Sequence, residues 1–426
     1  MTSAPRQHGK NAFMFVLVVV MIDMIGFSLI MPVMPQPIHE LASQPLEEAV
    51  KWAGPLSATY ALMNLLFGPV LGGLSDRFGR RPVLLASVAT LGLDFLIMGF
   101  AQSLWLLFIG RALSGISGAT FSTANAYIAD VTPPERRGQA FGMIGAAFGL
   151  GFVIGPVIGG LLGELDTRAP FFAAALLSLL SFLYGVFVLP ESLDKSKRRP
   201  FDYRRANPFG AFRHFSKLPE VYWLLLAAFL FHTAHYVFPA TWSYHAEIRY
   251  GWSARDIGLS LGLVGLSAAM VQGGLTGRFI KKFGSVRTVW FGLTVTAAAM
   301  CAYAFAGKGW MALATIAPGA LGGLTGAALQ SLMSNRTPEN AQGELQGANA
   351  SLQSLSAIIS PLVMTQMLST FSTSDAPVRF PGAAFLLAGL LTVLAFLPFA
   401  LGVRGCDRDG RREPRGATVR SDAGVG

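Results

Sequence analysis

Charge is scarce in this chain: Asp, Glu, Lys and Arg together make up only 13% of 426 residues, with two cysteines and six histidines. An average soluble domain carries ~25% charged residues, so a globule that must cover itself in water is excluded. Cys301 lies inside an apolar run and Cys406 near the C-terminus. That setting supports neither a disulfide framework nor a metal site. No Gly-Lys-Ser/Thr phosphate loop and no nucleophile motif occurs, which argues against an enzyme, against ATP as the energy source and against a bound cofactor. The formal net charge of +10 would suggest nucleic acid in a soluble protein. Here the cations sit in polar links between apolar runs, where they orient a chain in a bilayer instead.

Hydrophobic residues make up 52%. Crossing ~30 Å of hydrocarbon takes ~20 apolar residues as a helix, and the apolar runs are long enough for helices rather than barrel strands. The pattern predicts an all-α membrane protein of twelve spans. The first run, Asn11 to Met34, is too long for a signal-peptide core and lacks a small-residue cleavage site. It is read as span 1, Phe13 to Met34, followed by an outer loop from Gln36 to Lys51. Span 2 runs from about Trp52 to Leu74, with Tyr60 and Asn64 as its polar members.

Between spans 2 and 3 stands Gly72-Gly73-Leu74-Ser75-Asp76-Arg77-Phe78-Gly79-Arg80-Arg81. Gly73 permits close backbone approach, Gly79 permits a tight turn, and the Asp76/Arg80 spacing suits ion pairing across a bent loop. A positive-inside flank would explain the arginines without explaining Asp76. This loop, with Arg77, is read as a latch, and span 4 ends at Asp130 on the same side.

Three ionisable residues fall inside apolar runs: Asp23 in span 1, Asp94 in span 3 and Arg111 in span 4. A charge mid-span costs ~2.5–3.5 kcal/mol on insertion scales, so these face a cavity and have a task. An unpaired charge in hydrocarbon is worse than a paired one. The three are expected to share one cavity, with Arg111 partnering an acid and the acids carrying protons. In span 5, Gly151, Gly155 and Gly159 recur four apart around Pro156, which allows close helix contact and a bend.

The link Glu191 to Lys217 is rich in Lys195, Lys197, Arg198, Arg199, Arg204 and Arg205. It divides the chain into a six-span bundle (1–190), a linker (191–217), a second six-span bundle (218–403) and a polar tail (404–426). The second bundle offers uncharged polar groups: His232 and His235 in span 7, Gln272 in span 8, Gln330 in span 10, Gln346 and Gln353 in span 11. With Asn64 these are the candidate substrate-binding residues. Histidines three apart could hold a metal, but with no third ligand nearby a polar cavity wall is the reading. The halves repeat: Gly72 to Phe78 recurs as Gly273 to Phe279, which sets Gly277 opposite Asp76. Thr132-Pro133 with Pro156 recurs as Thr337-Pro338 with Pro361, and Ile316 takes the place of Arg111. Two like halves in a membrane imply rocking about a midplane site.

The latch loop resembles the signature loop between helices 2 and 3 of the major facilitator superfamily. The span 5 glycines resemble the antiporter motif of proton-driven drug exporters in that superfamily. With Ile22 to Pro35, Tyr127 to Thr132, Tyr250-Gly251-Trp252 and Gln342 to Gly347, the chain resembles the tetracycline/proton antiporter group to about Val403. The resemblance implies proton-coupled efflux of an amphiphilic drug from a bacterial inner membrane, with a tetracycline-type antibiotic as leading cargo. It implies Asp23, Asp94 and Arg111 as essential membrane charges, and Asp76, Arg80 and Asp130 as a gate network. A monomer with both termini cytoplasmic is expected. Well-known members carry a histidine in helix 8 and an acid in helix 9; here Ala268 and Thr296 stand there. The alternatives are a metabolite or sugar transporter, or a non-transporting receptor on the same fold.

Overall fold

The computed structural model describes residues 5–118, 120–201 and 221–404. Arg204, Arg205, the linker boundary at 217, Cys406 and the tail beyond Arg404 lie outside the described residues. Helix α1 spans Pro5–Leu29 and stops short of the expected Met34. Pro32 and Pro35 lack amide hydrogens and turn the preceding residues away from helix, so the chain bends through 30–34 into a short helix, Pro35–Ala42. The expected outer loop is therefore partly helical.

The remaining rods are α2 (Ala53–Phe78), α3 (Arg80–Gly99), α4 (Leu104–Ser117, then Thr120–Val131), α5 (Arg137–Leu165) and α6 (Ala169–Val188). The second half supplies α7 (Tyr222–His235, then Val237–Tyr250), α8 (254–283), α9 (285–305) and α10 (Gly309–Ala320, then Leu324–Arg336). It ends with α11 (Gln342–Ser372) and α12 (Ala383–Val403). Among the described residues no strand occurs, and nine helical stretches are long and apolar enough to cross a membrane. One of these, Ala254–Phe305, folds about Gly284 (φ 77°, ψ 160°) into α8 and α9; Val16–Leu29 and Leu104–Ser117 are shorter apolar helices.

The halves repeat in structure as well. Gly79 and Gly284, the two positive-φ hairpin glycines, stand 205 residues apart, as do the starts of α5 and α11 at Arg137 and Gln342. The starts of α2 and α8, Ala53 and Ala254, stand 201 apart. Helix α8 has therefore gained one turn, and a π-turn at Val271–Leu275 takes up part of the change in register. Counted back from the hairpin, the partner of Asp76 is Lys281 rather than Gly277, which corrects the repeat as read from sequence.

One apolar core lies in each half, around Tyr127 and Ile144 in the first and Leu293, Leu329 and Phe399 in the second. A third joins the halves through Val33, Leu56, Trp242 and Phe385. Contact between halves concentrates at the end remote from the Asp76 loop. There a Cβ on Gly54 would strike Thr365 and the Pro361 carbonyl, and one on Gly160 would lie 3.1 Å from Arg255 and Gly258. Gln36 Nε2 donates to Glu247 Oε1 at 2.6 Å, and Ser243 Oγ donates to the Met31 carbonyl at 2.9 Å. Toward the loop end, Gly68 and Gly72 on α2, Gly138, Gly142, Gly145 and Gly149 on α5, Gly273 and Gly277 on α8 and Gly343 on α11 all face open space among the described residues. Among the described residues the halves are closed on each other at the far end and stand open at the loop end.

Candidate functional site

At the loop end, α2 stops at Phe78 because Gly79 adopts φ 108°, ψ 159°, a region essentially reserved for glycine. The turn returns Arg80 over the last turn of α2. Its guanidinium meets Asp76 Oδ1 at 2.7 Å and Ser75 Oγ at 2.5 Å, while Nε reaches Asp130 Oδ2 at 3.3 Å. The expected members Asp76, Arg80 and Asp130 are thus one network. Arg77 points elsewhere, over the Phe78 ring at 5.0 Å. Gly73 earns its place through close approach, since a Cβ there would lie 2.9 Å from the Phe201 ring.

The sequence reading missed Glu191. Its carboxylate accepts from the Arg80 amide at 2.8 Å and the Leu193 amide at 3.1 Å, and lies 3.8 Å from Arg198. Ser192 Oγ donates to Asp130 at 3.2 Å, the Arg199 amide donates to the Asp76 carbonyl at 3.1 Å, and Tyr127 Oη donates to the Pro190 carbonyl at 2.9 Å. The start of the link, which looked like a plain tether, is strapped beneath the latch.

Midway along the first half, Asp23 and Arg111 are each 9% exposed and Asp94 is fully buried. The structure brings them into one neighbourhood but not into contact: no ion pair within 4.0 Å joins them among the described residues. This corrects the expected Arg111 pairing. The guanidinium lies 4.7 Å from the Tyr60 ring centre and 5.9 Å from that of Phe27, so cation–π attraction replaces a counter-ion. Tyr60 is the shared element: its hydroxyl bonds Asn64 and feels the charges of Arg111, Asp94 and Asp23. Asp23 Oδ1 and both Asp94 oxygens lack a geometrically sound hydrogen-bond partner among the described residues. A cavity of about 50 Å³ opens beside them, walled by Asp23, Phe27, Tyr60 and Ser114. Gly110, Gly115 and Gly118 on α4 make the cluster possible. Any Cβ there would strike, in turn, Met98 and Asp94, Met63 and the Tyr60 carbonyl, or Asn64.

The α5 motif residues Gly151, Gly155 and Gly159 lay bare backbone against α1. A Cβ on Gly151 would stand 2.7 Å from Met24, one on Gly155 would meet Ser28 and one on Gly159 the Leu29 carbonyl. Ser28 Oγ closes this seam by donating to the Met24 carbonyl at 2.6 Å and lying 3.2 Å from the Gly151 carbonyl. The Pro156 carbonyl faces Gly258 on α8, so one helix holds to α1 on one side and to the second half on another.

The second half holds an open cavity of about 360 Å³ between α7, α10 and α11. His232, Gln330, Gln346 and Gln353, named from sequence, all line it, and Asn349 of α11, which is not among the named candidates, does too. His235 does not: its ring stacks on Phe231 at 5.7 Å. Gln272 lies exposed in the α8 π-turn, and Asn64 belongs to the Tyr60 cluster. Thr296 is spent within its own helix, donating to the Gly292 carbonyl at 2.8 Å. Among the described residues no group of three or more His, Cys, Asp or Glu stands ready for a metal ion.

Comparison with known proteins places this geometry. The model of the family described as Major Facilitator Superfamily matches residues 16–361 and again 275–421. The tetracycline resistance protein, class C, of Escherichia coli is 41% identical over 382 residues, 89% of this chain and 96% of that protein. The class G protein of Vibrio anguillarum is 38% identical, covering 84% and 91%. Among solved structures, a bacterial homolog to the human lysosomal transporter Spinster, inward-facing and occupied, superposes with TM-score 0.76 at 18% identity, covering 96% of this chain and 99% of that one. The human organic anion transporter MFSD10 gives TM-score 0.64 at 23% identity, covering 92% and 99%. At those identities the likeness is one of fold.

Proposed function

The chain belongs to the Major Facilitator Superfamily, a family of transporters, and we propose on that footing that it is a proton-coupled exporter of amphiphilic drugs, tetracycline-type antibiotics first among them. In this reading the two six-helix bundles cross a bacterial inner membrane twelve times and rock about their seam. Both termini and the Asp76 loop face the cytoplasm, so the open end described above admits cargo from inside the cell. The working unit is one chain.

The observation that carries the reading is the first-half cluster. Two acids held in a membrane core with orphaned oxygens are costly unless they have a task, and Arg111 stands near them uncommitted to an ion pair. Burial and a nearby cation act in opposite senses on a carboxyl's protonation. A cargo that approaches Arg111 changes that balance, so proton and drug exclude one another without a signal between distant sites. Proteoliposomes with an imposed proton gradient test this. Asp23→Asn and Asp94→Asn each abolish concentrative drug transport, and at least one of them still binds drug at equilibrium. Concentrative transport surviving in the double variant would remove both acids as the coupling site.

A further inference from the structure

Arg111 carries a long side chain whose charge is felt by Asp94, yet the two form no ion pair among the described residues. They are close neighbours. Asp94 stands against α4 at the residue before Arg111, since a Cβ on Gly110 would lie 2.7 Å from Asp94 Oδ1. Both Asp94 oxygens lack a partner among the described residues, so an acceptor is open to the guanidinium. Opposite charges in a buried setting attract strongly, and something has to hold this pair apart.

What the guanidinium meets instead is aromatic. Its carbon lies 4.7 Å from the Tyr60 ring centre and 5.9 Å from that of Phe27, within the ~6 Å reach of a cation–π contact. A ring draws a cation through its quadrupole and carries no net charge, so it holds Arg111 without neutralising it. The Tyr60 ring is itself pinned. Its hydroxyl bonds Asn64, its ring centre stands 5.6 Å from that of Phe27, and a Cβ on Gly118 would lie 3.0 Å from its hydroxyl.

We propose that Tyr60 is a positioning residue: its ring face holds the Arg111 guanidinium off Asp94, and so sets the pH at which that acid exchanges its proton. The inference rests on the export reading's use of Asp94 as a proton carrier and adds the residue that keeps it available. A carboxylate beside an opposite charge holds its own charge to lower pH, so an acid locked in a buried pair is a poor carrier. With the cation parked on a ring, Asp94 is left to take a proton and give it up. The other ionisable groups facing this neighbourhood are Asp23 on α1 and, from the second half, Tyr236 and Tyr244 on α7. The phenols are neutral near pH 7 and offer Arg111 no counter-charge.

Infrared titration of the purified full chain reads the protonated Asp94 carboxyl directly, its band being identified by its loss in Asp94→Asn. Tyr60→Leu, which removes the ring face, lowers the midpoint pH of that band by about one unit or more. Tyr60→Phe, which keeps the face, leaves the midpoint at the wild-type value. Pentafluorophenylalanine placed at the same position keeps the shape and withdraws the electron density that draws the cation; it lowers the midpoint as leucine does. In an Arg111→Gln background Tyr60→Leu moves the midpoint no further, because the ring acts through the guanidinium. If thermal melts show Tyr60→Leu misfolded, the fluorinated ring carries the test. A midpoint unmoved in either folded variant, one moved equally by Tyr60→Phe, or a shift that persists without Arg111 overturns the proposal. Midpoints that follow these expectations in a protein without gradient-driven drug uptake sink the export reading and spare this one; uptake that Asp94→Asn abolishes, with midpoints indifferent to the changes at Tyr60, does the reverse.

Discussion

The two hairpins at the open end share a backbone and differ in what fastens them. In the first, Gly79 turns the chain and Arg80 ties Asp76, Ser75 and Asp130 together while Glu191 straps the turn from below. In the second, Gly284 makes a similar turn, yet Ser285 stands where Arg80 does and reaches only Ser331 Oγ at 3.4 Å. Its cations Lys281 and Lys282 form no ion pair among the described residues, and Lys282 lies over the Phe283 ring at 5.3 Å. Among the described residues the ionic network stands at one hairpin of the repeat and not at the other. The same division runs deeper, with the buried Asp23, Asp94 and Arg111 in the first half and amides and histidines in the second.

The sharpest way to break this comparison is at Arg111 and its counterpart. Arg111→Ala should abolish transport in proteoliposomes while the protein remains folded, and Arg111→Lys should retain part of it. Ile316→Ala should act through stability, since Ile316 is 2% exposed and truncating a buried isoleucine costs ~2–5 kcal/mol. Loss of transport per folded molecule in Ile316→Ala would show that the division of labour is not as drawn.

At the hairpins, Arg80→Ala should lower transport by about tenfold or more, the rate equivalent of ~1.4 kcal/mol, with equilibrium drug binding retained. Ser285→Ala should leave transport within about twofold, because a hydroxyl–hydroxyl bond at 3.4 Å is long and worth little. Equal losses would mean that both hairpins are latches.

Gly79→Ala and Gly284→Ala refine the same contrast by thermal melting. Both force alanine into a glycine-only region, at ~1–3 kcal/mol. At Gly79 the new Cβ also strikes the Glu191 carboxylate and Arg198, whereas at Gly284 it meets open space. The melting point should therefore fall further for Gly79→Ala, and a reversed order would remove the strap from the argument. The smallest effect is expected at the far end. Gln36→Ala deletes one inter-half hydrogen bond and should change the ratio of loop-open to loop-closed molecules by about 2- to 12-fold. Spin-label distances between Glu135→Cys and Lys281→Cys in a cysteine-free background read that ratio, and an unchanged distribution would show that Gln36 does not hold the seam.

What could be read in advance follows from what carries a cost. Asp23, Asp94 and Arg111 announce themselves because charge in an apolar run is expensive, and the α5 glycines because their spacing is helical. Gln330, Gln346, Gln353 and His232 were legible as polar residues in apolar helices, and the fold gathers them in one cavity. Tyr60 was noted but not weighted, since an aromatic in a membrane helix raises no alarm. Glu191 was hidden in a charged link, where acids are common. Gln36 and Glu247 lie far apart in sequence, and no local pattern foretells their bond. The repeat misled at Gly277 because local identity fixes a register only until the next insertion, and α8 had gained its turn inside the matched stretch.

The far-end seam has a consequence for reopening. Where Gly54 meets the Pro361 carbonyl and the helix-bonded Thr365 hydroxyl on α11, and Gly160 meets Gly258, the facing surfaces are largely main chain already bonded within its own helix. Long side chains lose up to ~2 kcal/mol of rotamer entropy each when an interface immobilises them, and glycine loses none. Those contacts have no rotamers to refreeze on reclosing and no donors to re-pair. Under the proposed rocking, opening therefore meets little rotamer entropy at these glycine contacts, and the groups that must be re-paired on reclosing are Gln36 with Glu247 and Ser243 with the Met31 carbonyl.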